Sequence, residues 1–157
     1  MHNTHIDIAL DKRQQIIAIL NARLADVVDL GIQAKLAHWN VRGMHFIGLH
    51  ELFDKVAETA NENADEIAER IGQLGGVVVG NVQEVAKNTS LGVFSSDLSK
   101  DKDIVGAMTQ ALATVANNAR KAIDQTADLG DQGTSDLLTD VVRDTDKHLW
   151  FVEAHLQ

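Results

Sequence analysis

The stretch that decides the fold reads HWNVRGMHFIGLHELFDKVAETANENADEIAE and spans residues 38–69. It continues without a helix breaker after the turn at 41–43, and the whole chain contains no proline. Because proline inside a helix costs about 3 kcal/mol, its absence is typical of long uninterrupted helices. Among its His, Asp and Glu side chains, five are candidate metal ligands because of their spacing: His38, His50, Asp54, Asp65 and Glu69.

The spacing of these side chains prevents them from meeting at one ion within one chain. An α-helix turns about 100° and rises about 1.5 Å per residue, so His50 and Asp54 share a face. Asp65 and Glu69 repeat this arrangement on nearly the same face, about 16 Å further along. Metal bonds to nitrogen or oxygen are only about 2.0–2.2 Å long, so a single chain cannot close the site with both pairs.

A second copy of the same helix solves this problem. If it runs antiparallel across a two-fold axis, one chain's Asp65 and Glu69 face the other chain's His50 and Asp54, and two equivalent sites result. His38 precedes the turn and can fold back beside His50. The sequence therefore predicts a metal site shared between two subunits.

The alternative is an ordinary solvated helix face. Pairs of His, Asp and Glu four residues apart are common on exposed helices, and this helix is acidic throughout. Trp39, in the same stretch, is more often a core aromatic than a redox residue. Spacing alone does not decide between a metal site and a solvated surface.

Length and composition restrict the class of protein. With 157 residues the chain is one domain, 1–157, with residues 1–6 as a flexible tail. The absence of cysteine excludes disulfides, thiolate metal sites and a cysteine nucleophile. A net charge of −9 argues against general nucleic-acid binding, which depends on Lys and Arg. There is no signal-peptide pattern and no 18-residue apolar run, so we expect a cytoplasmic protein without membrane contact.

Apolar residues at steps of three and four predict long helices and no strands. Ile16, Leu20 and Leu24 start such a stripe in the first helix, and Gly75-Gly76 is a natural end of the second. Either Thr134 or Ser135 is the expected N-cap of the last helix. The predicted helices span about Asp7–Asn40, Gly48–Leu74, Asp101–Leu129 and Gly133 to the C-terminus, with a short helix at Val82–Lys87.

The connection at residues 77–100 is long enough to cross from one end of a bundle to the other. Two antiparallel helix pairs joined in this way make a four-helix bundle. The predicted fold is therefore all-α, a ferritin-like four-helix bundle whose long crossover connection carries a short helix.

Four segments of the chain are similar to a known signature: AKLAHWNVRG (34–43), FIGLHELFDKVA (46–57), ADEIAERIGQLGG (64–76) and DKHLWFVEAHL (146–156). Together they resemble the Dps family, the DNA-protection-during-starvation mini-ferritins, from about residue 14 onward. The resemblance implies a hollow homododecamer of ferritin-like subunits with an iron-oxidising centre at a two-fold interface.

The resemblance also implies roles for the five candidate ligands. His38, His50 and Asp54 would come from one subunit, and Asp65 and Glu69 from its neighbour. They would act as a ferroxidase that binds iron, prefers hydrogen peroxide as oxidant and deposits ferric mineral in the cavity. Zinc is expected to be able to substitute at the same site.

Ordinary ferritins differ in the position of their iron site, which lies within one bundle and uses Glu-x-x-His steps. In this chain the residues three before the central histidines are Lys35, Arg42, Ile47, Thr145 and Val152. None is glutamate, so this pattern excludes the centre within one subunit. Imidazole and carboxylate ligands suit Fe(II), and no thiolate favours a softer metal.

Acidic residues also cluster near the start of the last helix: Asp128, Asp131, Asp136 and Asp140. The helix dipole favours carboxylates there without any further function. The resemblance places this region at a three-fold channel, where rings of Asp131, Asp136 and Asp140 would concentrate cations. His2 and His5 are weaker candidates for an accessory zinc site, and a tail without function is the simpler interpretation.

DNA binding is the activity in the family's name, and here the sequence departs from the pattern. Residues 1–11 contain no Lys or Arg, and no basic extension follows the last helix. We therefore expect weak or absent DNA binding. The alternatives to an iron oxidase are a nucleoid protein that binds and compacts DNA directly, and an acidic cage without iron chemistry.

Overall fold

Four long helices and one short helix form the chain, and the computed structural model describes all residues from 1 to 157. The helices are α1 (Leu10–Asn40), α2 (Phe46–Gln73), α3 (Val82–Asn88), α4 (Asp101–Asp128) and α5 (Gln132–Glu153), followed by a 3-10 turn at Ala154–Leu156. α1 packs along α2, α4 packs along α5, and the short α3 lies against α1 within the crossover connection. The predicted all-α four-helix bundle is confirmed.

The ends of α2 and α4 are set by glycine in the same way. Gly75 has φ +81° and Gly130 has φ +89°, a left-handed conformation that other residues rarely adopt. The amide of Gly76 donates to the carbonyl of Ile71 at 2.8 Å, and the amide after Gly130 makes the equivalent bond five residues back at 3.0 Å. These bonds are those of a Schellman cap, so both helices end where the glycines predict.

The start of α5 differs from the prediction. Asp131, not Thr134 or Ser135, is the N-cap, and its Oδ1 accepts a hydrogen bond from the Thr134 amide at 3.0 Å. The Thr134 hydroxyl donates to the other carboxylate oxygen at 2.5 Å. The expected cap was wrong because the helix begins directly after Asp131. The Asp131 carboxylate therefore reaches the unpaired amide of Thr134, three residues later.

Asp26 fixes the crossover connection to the bundle. It is fully buried in α1, and its carboxylate accepts hydrogen bonds from the amide and hydroxyl of Ser90 at 2.7 and 2.8 Å. Arg23 lies 3.0 Å away on the same helix, and Asn118 of α4 donates at 3.4 Å. A buried charge requires such partners, so this network ties together α1, the crossover and α4.

The first six residues lie against the end of α2. The amide of His2 donates to the carbonyl of Gly75 at 2.7 Å, and the guanidinium of Arg13 donates to the carbonyl of Leu74 at 2.9 Å. Ile6 is half-buried against the core.

None of the helices combines the length and the apolar character required to cross a membrane.

Candidate metal centre

His38 and His50 stack against each other where the end of α1 meets the start of α2. Their ring centroids are 3.6 Å apart and their planes differ by 21°. His38 Nδ1 lies 2.7 Å from the carbonyl oxygen of His50, and His50 Nδ1 lies 2.8 Å from the carbonyl oxygen of His38. A carbonyl only accepts, so both Nδ1 atoms carry the proton and both Nε2 lone pairs are free. This is the arrangement that orients histidines as metal ligands.

Asp54, one turn further along α2, is paired with a lysine from α1. Lys35 Nζ lies 2.5 Å from Asp54 Oδ1, and both side chains are more than a third exposed. The hydrogen bond from Lys35 lowers the pKa of Asp54 below its usual value, against the opposing effect of desolvation. The positive charge of Lys35, and that of His38 and His50 when protonated, lowers the pKa further. The carboxylate is therefore ionised and already has a cation beside it.

Asp65 and Glu69 are exposed on the later turns of α2 and make no hydrogen bond or ion pair within the chain. Because α2 is one continuous helix, Asp65 lies about 16 Å beyond Asp54. Within one chain, no three His, Asp or Glu side chains form a group that can hold a metal ion. The structure thus brings His38 and His50 together beside Asp54 and leaves the acidic pair apart.

Large apolar side chains border this half of the site. Trp39 is 64% exposed, and Phe46, whose ring centroid is 5.1 Å from that of His50, is 40% exposed. Ile47, the next residue along α2 from Phe46, is also exposed. Apolar side chains exposed together are uncommon on monomeric proteins and often mark a protein–protein interface.

The acidic residues near α5 separate into two groups. Asp131 is 3% exposed, and Arg70 Nη2 lies 2.8 Å from its Oδ1. Within one chain the Asp131 carboxylate is buried and occupied by Arg70 and by the helix cap, and its part in a cation route stays a prediction. Asp128 and Asp136 are exposed, and Asp140 is half-exposed beside Arg143.

Other histidines lie outside this centre. Burial lowers the pKa of His148 in α5, and the nearby Lys147 and Lys55 lower it further, whereas Asp144 raises it. Its Nε2 is 3.0 Å from the hydroxyl of Thr59, and its Nδ1 has no hydrogen-bond partner. His2 and His5 are exposed, and their zinc role stays a prediction.

Three comparisons identify the relatives of this chain. A family model described as a ferritin-like domain matches residues 17–157. A DNA protection during starvation protein of Agrobacterium fabrum is 42% identical over 156 residues, which cover 99% of this chain and 96% of the relative. A protein of the same name from Mycolicibacterium smegmatis is 37% identical over 94% of this chain and 80% of its own length.

A solved structure of DpsC from Streptomyces coelicolor superposes with a TM-score of 0.94 at 33% identity, covering 99% of this chain and 91% of that one. The match confirms the ferritin-like form of the bundle. With the family model and the relatives, it shows that the chain belongs to the Dps family of ferritin-like proteins.

Proposed function

We propose that this protein stores and detoxifies iron in the cytoplasm. It oxidises Fe(II), with hydrogen peroxide as the preferred oxidant, at a centre shared between two subunits. The ferric product is deposited inside a hollow homododecamer. Two Fe(II) ions each give one electron to peroxide, which takes up two protons and becomes two waters. Both reagents that generate hydroxyl radicals are consumed, and DNA and the rest of the cell are protected.

The observation that carries this proposal is the reciprocal pair of His38 and His50. Each ring is held by its Nδ1 proton, so each Nε2 is free on the same surface as Asp54. Imidazole and carboxylate groups suit Fe(II). The negative oxygen ligands stabilise Fe(III) more than Fe(II), which favours loss of an electron. Zn²⁺ accepts the same ligands and is expected to compete for the site.

The separation of Asp65 and Glu69 from the two histidines supports a site that two subunits complete. Asp65 and Glu69 are exposed on the same stripe of α2, without partners in their own chain. An isologous contact around a two-fold axis presents the acidic pair of each chain to the histidines of the other. The exposed Trp39 and Phe46 would be covered by the same contact. For iron access, the proposal retains Asp136 and Asp140 and omits the buried Asp131.

The test is the rate of Fe(II) oxidation by peroxide and by oxygen, at fewer ions than sites. His50→Ala and Asp65→Ala should each be slower by at least about tenfold, because each removes a ligand rather than an orienting group. Glu66→Ala is the matched control, since Glu66 is an exposed acidic neighbour on a different face of α2. Rates equal to the wild type in both ligand variants would overturn the site assignment.

Mixing the two ligand variants tests whether the centre is shared. A hybrid pair of His50→Ala and Asp65→Ala subunits contains one doubly damaged site and one intact site. Random reassembly should therefore restore about a quarter of the sites, as two-fold symmetry requires. If mass spectrometry shows that the subunits exchange and no activity returns, the five ligands do not form one centre across an interface.

Direct DNA binding is the second candidate function, because the relatives are named for DNA protection. With a net charge of −9 and no Lys or Arg in residues 1–11, the chain offers few contacts to phosphate. We expect no retention of DNA in a gel-shift assay in EDTA. A clear shift at low micromolar protein would instead support a DNA-compacting protein.

A further inference from the structure

Two further histidines meet at the end of the bundle, where the turn between α1 and α2 approaches the C-terminus. His45 immediately precedes α2, and His155 lies in the final 3-10 turn. Their ring centroids are 6.3 Å apart, and the ring planes are inclined by 75°. Both line a cavity of about 280 Å³ that Asp101, at the start of α4, also lines.

Both rings are held through Nδ1, as at the candidate iron centre. His45 Nδ1 lies 3.2 Å from Asp101 Oδ2, and His155 Nδ1 lies 2.8 Å from the carbonyl oxygen of Phe151. A carboxylate and a carbonyl can only accept, so both Nδ1 atoms carry the proton. The Nε2 lone pair of each ring is therefore available to a ligand.

Asp101 is itself held in place. Its Oδ1 accepts a hydrogen bond from the amide of Lys102 at 2.8 Å, and its own amide donates to the carbonyl of Arg42 at 3.0 Å. These contacts leave Oδ2 directed at His45. A carboxylate bound to the Nδ1 proton of a histidine fixes the ring and raises the basicity of Nε2, as is usual behind metal-binding histidines.

We propose that His45 and His155 bind a transition-metal dication of the Zn²⁺ class through their Nε2 atoms, with Asp101 as the positioning residue. With Zn–N bonds of about 2.0–2.1 Å, two imidazoles on one tetrahedral ion have centroids about 5 Å apart. A closure of about 1 Å therefore brings the observed pair to that distance. Asp101 is not a third ligand, and water fills the remaining positions. The site is separate from the iron centre and does not depend on the proposed oxidation.

The test is calorimetric titration of the full-length protein with Zn²⁺. The background carries His50→Ala and Asp65→Ala, so that the candidate iron centre does not contribute. Adding His45→Ala or His155→Ala should remove one Zn²⁺ per chain, and Asp101→Asn should weaken that binding about 10–100-fold. Asp103→Asn is the control, an exposed carboxylate on the same helix as Asp101 that does not line the cavity, and should leave the binding unchanged.

A position measurement complements the titration. His155 lies in the last three residues of the chain, so its removal should leave the helical content unchanged by circular dichroism. In crystals soaked with Zn²⁺, anomalous diffraction at the zinc edge should place an ion within bonding distance of both Nε2 atoms. The proposal is overturned if both histidine variants retain the stoichiometry of the background, or if no anomalous peak lies between the two rings.

Discussion

Two pairs of a carboxylate and a cation tie α2 to its surroundings, and they differ in burial. Lys35 and Asp54 are 2.5 Å apart, with side chains 36% and 39% exposed. Arg70 and Asp131 are 2.8 Å apart, with side chains 17% and 3% exposed. Asp131 also caps α5 and binds the Thr134 hydroxyl. The two pairs therefore have similar distances, but their carboxylates differ in exposure and in the number of further partners.

The difference has a simple physical basis. Removing one partner of a buried ion pair leaves an uncompensated charge away from water, and this is strongly destabilising. An exposed ion pair contributes only about 0–1 kcal/mol, because water and salt can replace either partner. The Arg70–Asp131 pair is accordingly a fixed part of the fold. The Lys35–Asp54 pair can open, which leaves Asp54 available to a metal ion.

The largest effect is expected from breaking the buried pair. Asp131→Ala should lower the free energy of unfolding by about 3–5 kcal/mol, since it strands the Arg70 guanidinium and removes the cap of α5. Asp136→Ala, an exposed acidic residue on the same helix, should change it by less than about 0.5 kcal/mol. Guanidinium titration measures both. Equal effects of the two substitutions would contradict the structural role of Asp131.

Breaking the exposed pair is expected to change stability less and to strengthen metal binding. Lys35→Met should change the free energy of unfolding by no more than about 1 kcal/mol. It should also tighten Zn²⁺ binding at the proposed shared centre about 3–10-fold, because the ion would no longer displace an ammonium group from Asp54. Calorimetry on the assembled protein measures this. Lys55→Met, an exposed lysine beside Asp54 in sequence, is the control, and weaker binding in Lys35→Met would mean that Lys35 helps to hold the site.

Features that depend on neighbouring residues could be predicted from the sequence. The length of α2 and its end at Gly75-Gly76 follow from the absence of breakers and from the preference of glycine for a left-handed turn. The position of His38 beside His50 follows from the short turn between them. The four candidate ligands on α2 could be chosen because their spacing on one helix is fixed by helix geometry.

Features that depend on packing could not be predicted in this way. Lys35 is three residues before His38 and shares its helix face, but its pairing with Asp54 depends on how α1 packs along α2. The Asp-x-x-Thr spacing of the α5 cap is visible in the sequence, whereas Arg70 lies 61 residues away from Asp131. The burial of Asp26 could not be predicted either, because apart from Arg23 its partners come from the crossover and α4.

The smallest expected effect concerns His148, which is partly buried like the Arg70–Asp131 pair but has no ionic partner within hydrogen-bonding distance. Burial holds the pKa of His148 in the folded chain below the ordinary value of 6.5. Between the folded and the unfolded pKa, the unfolded chain therefore binds more protons than the folded one. Stability is therefore complete above about pH 6.5 and is lost as the pH falls from there toward the folded pKa. His148→Gln should flatten the decrease in unfolding free energy between about pH 7.5 and 5.5, whereas the exposed control His5→Gln should not. An unchanged slope in His148→Gln would show that the burial of His148 does not control the pH dependence.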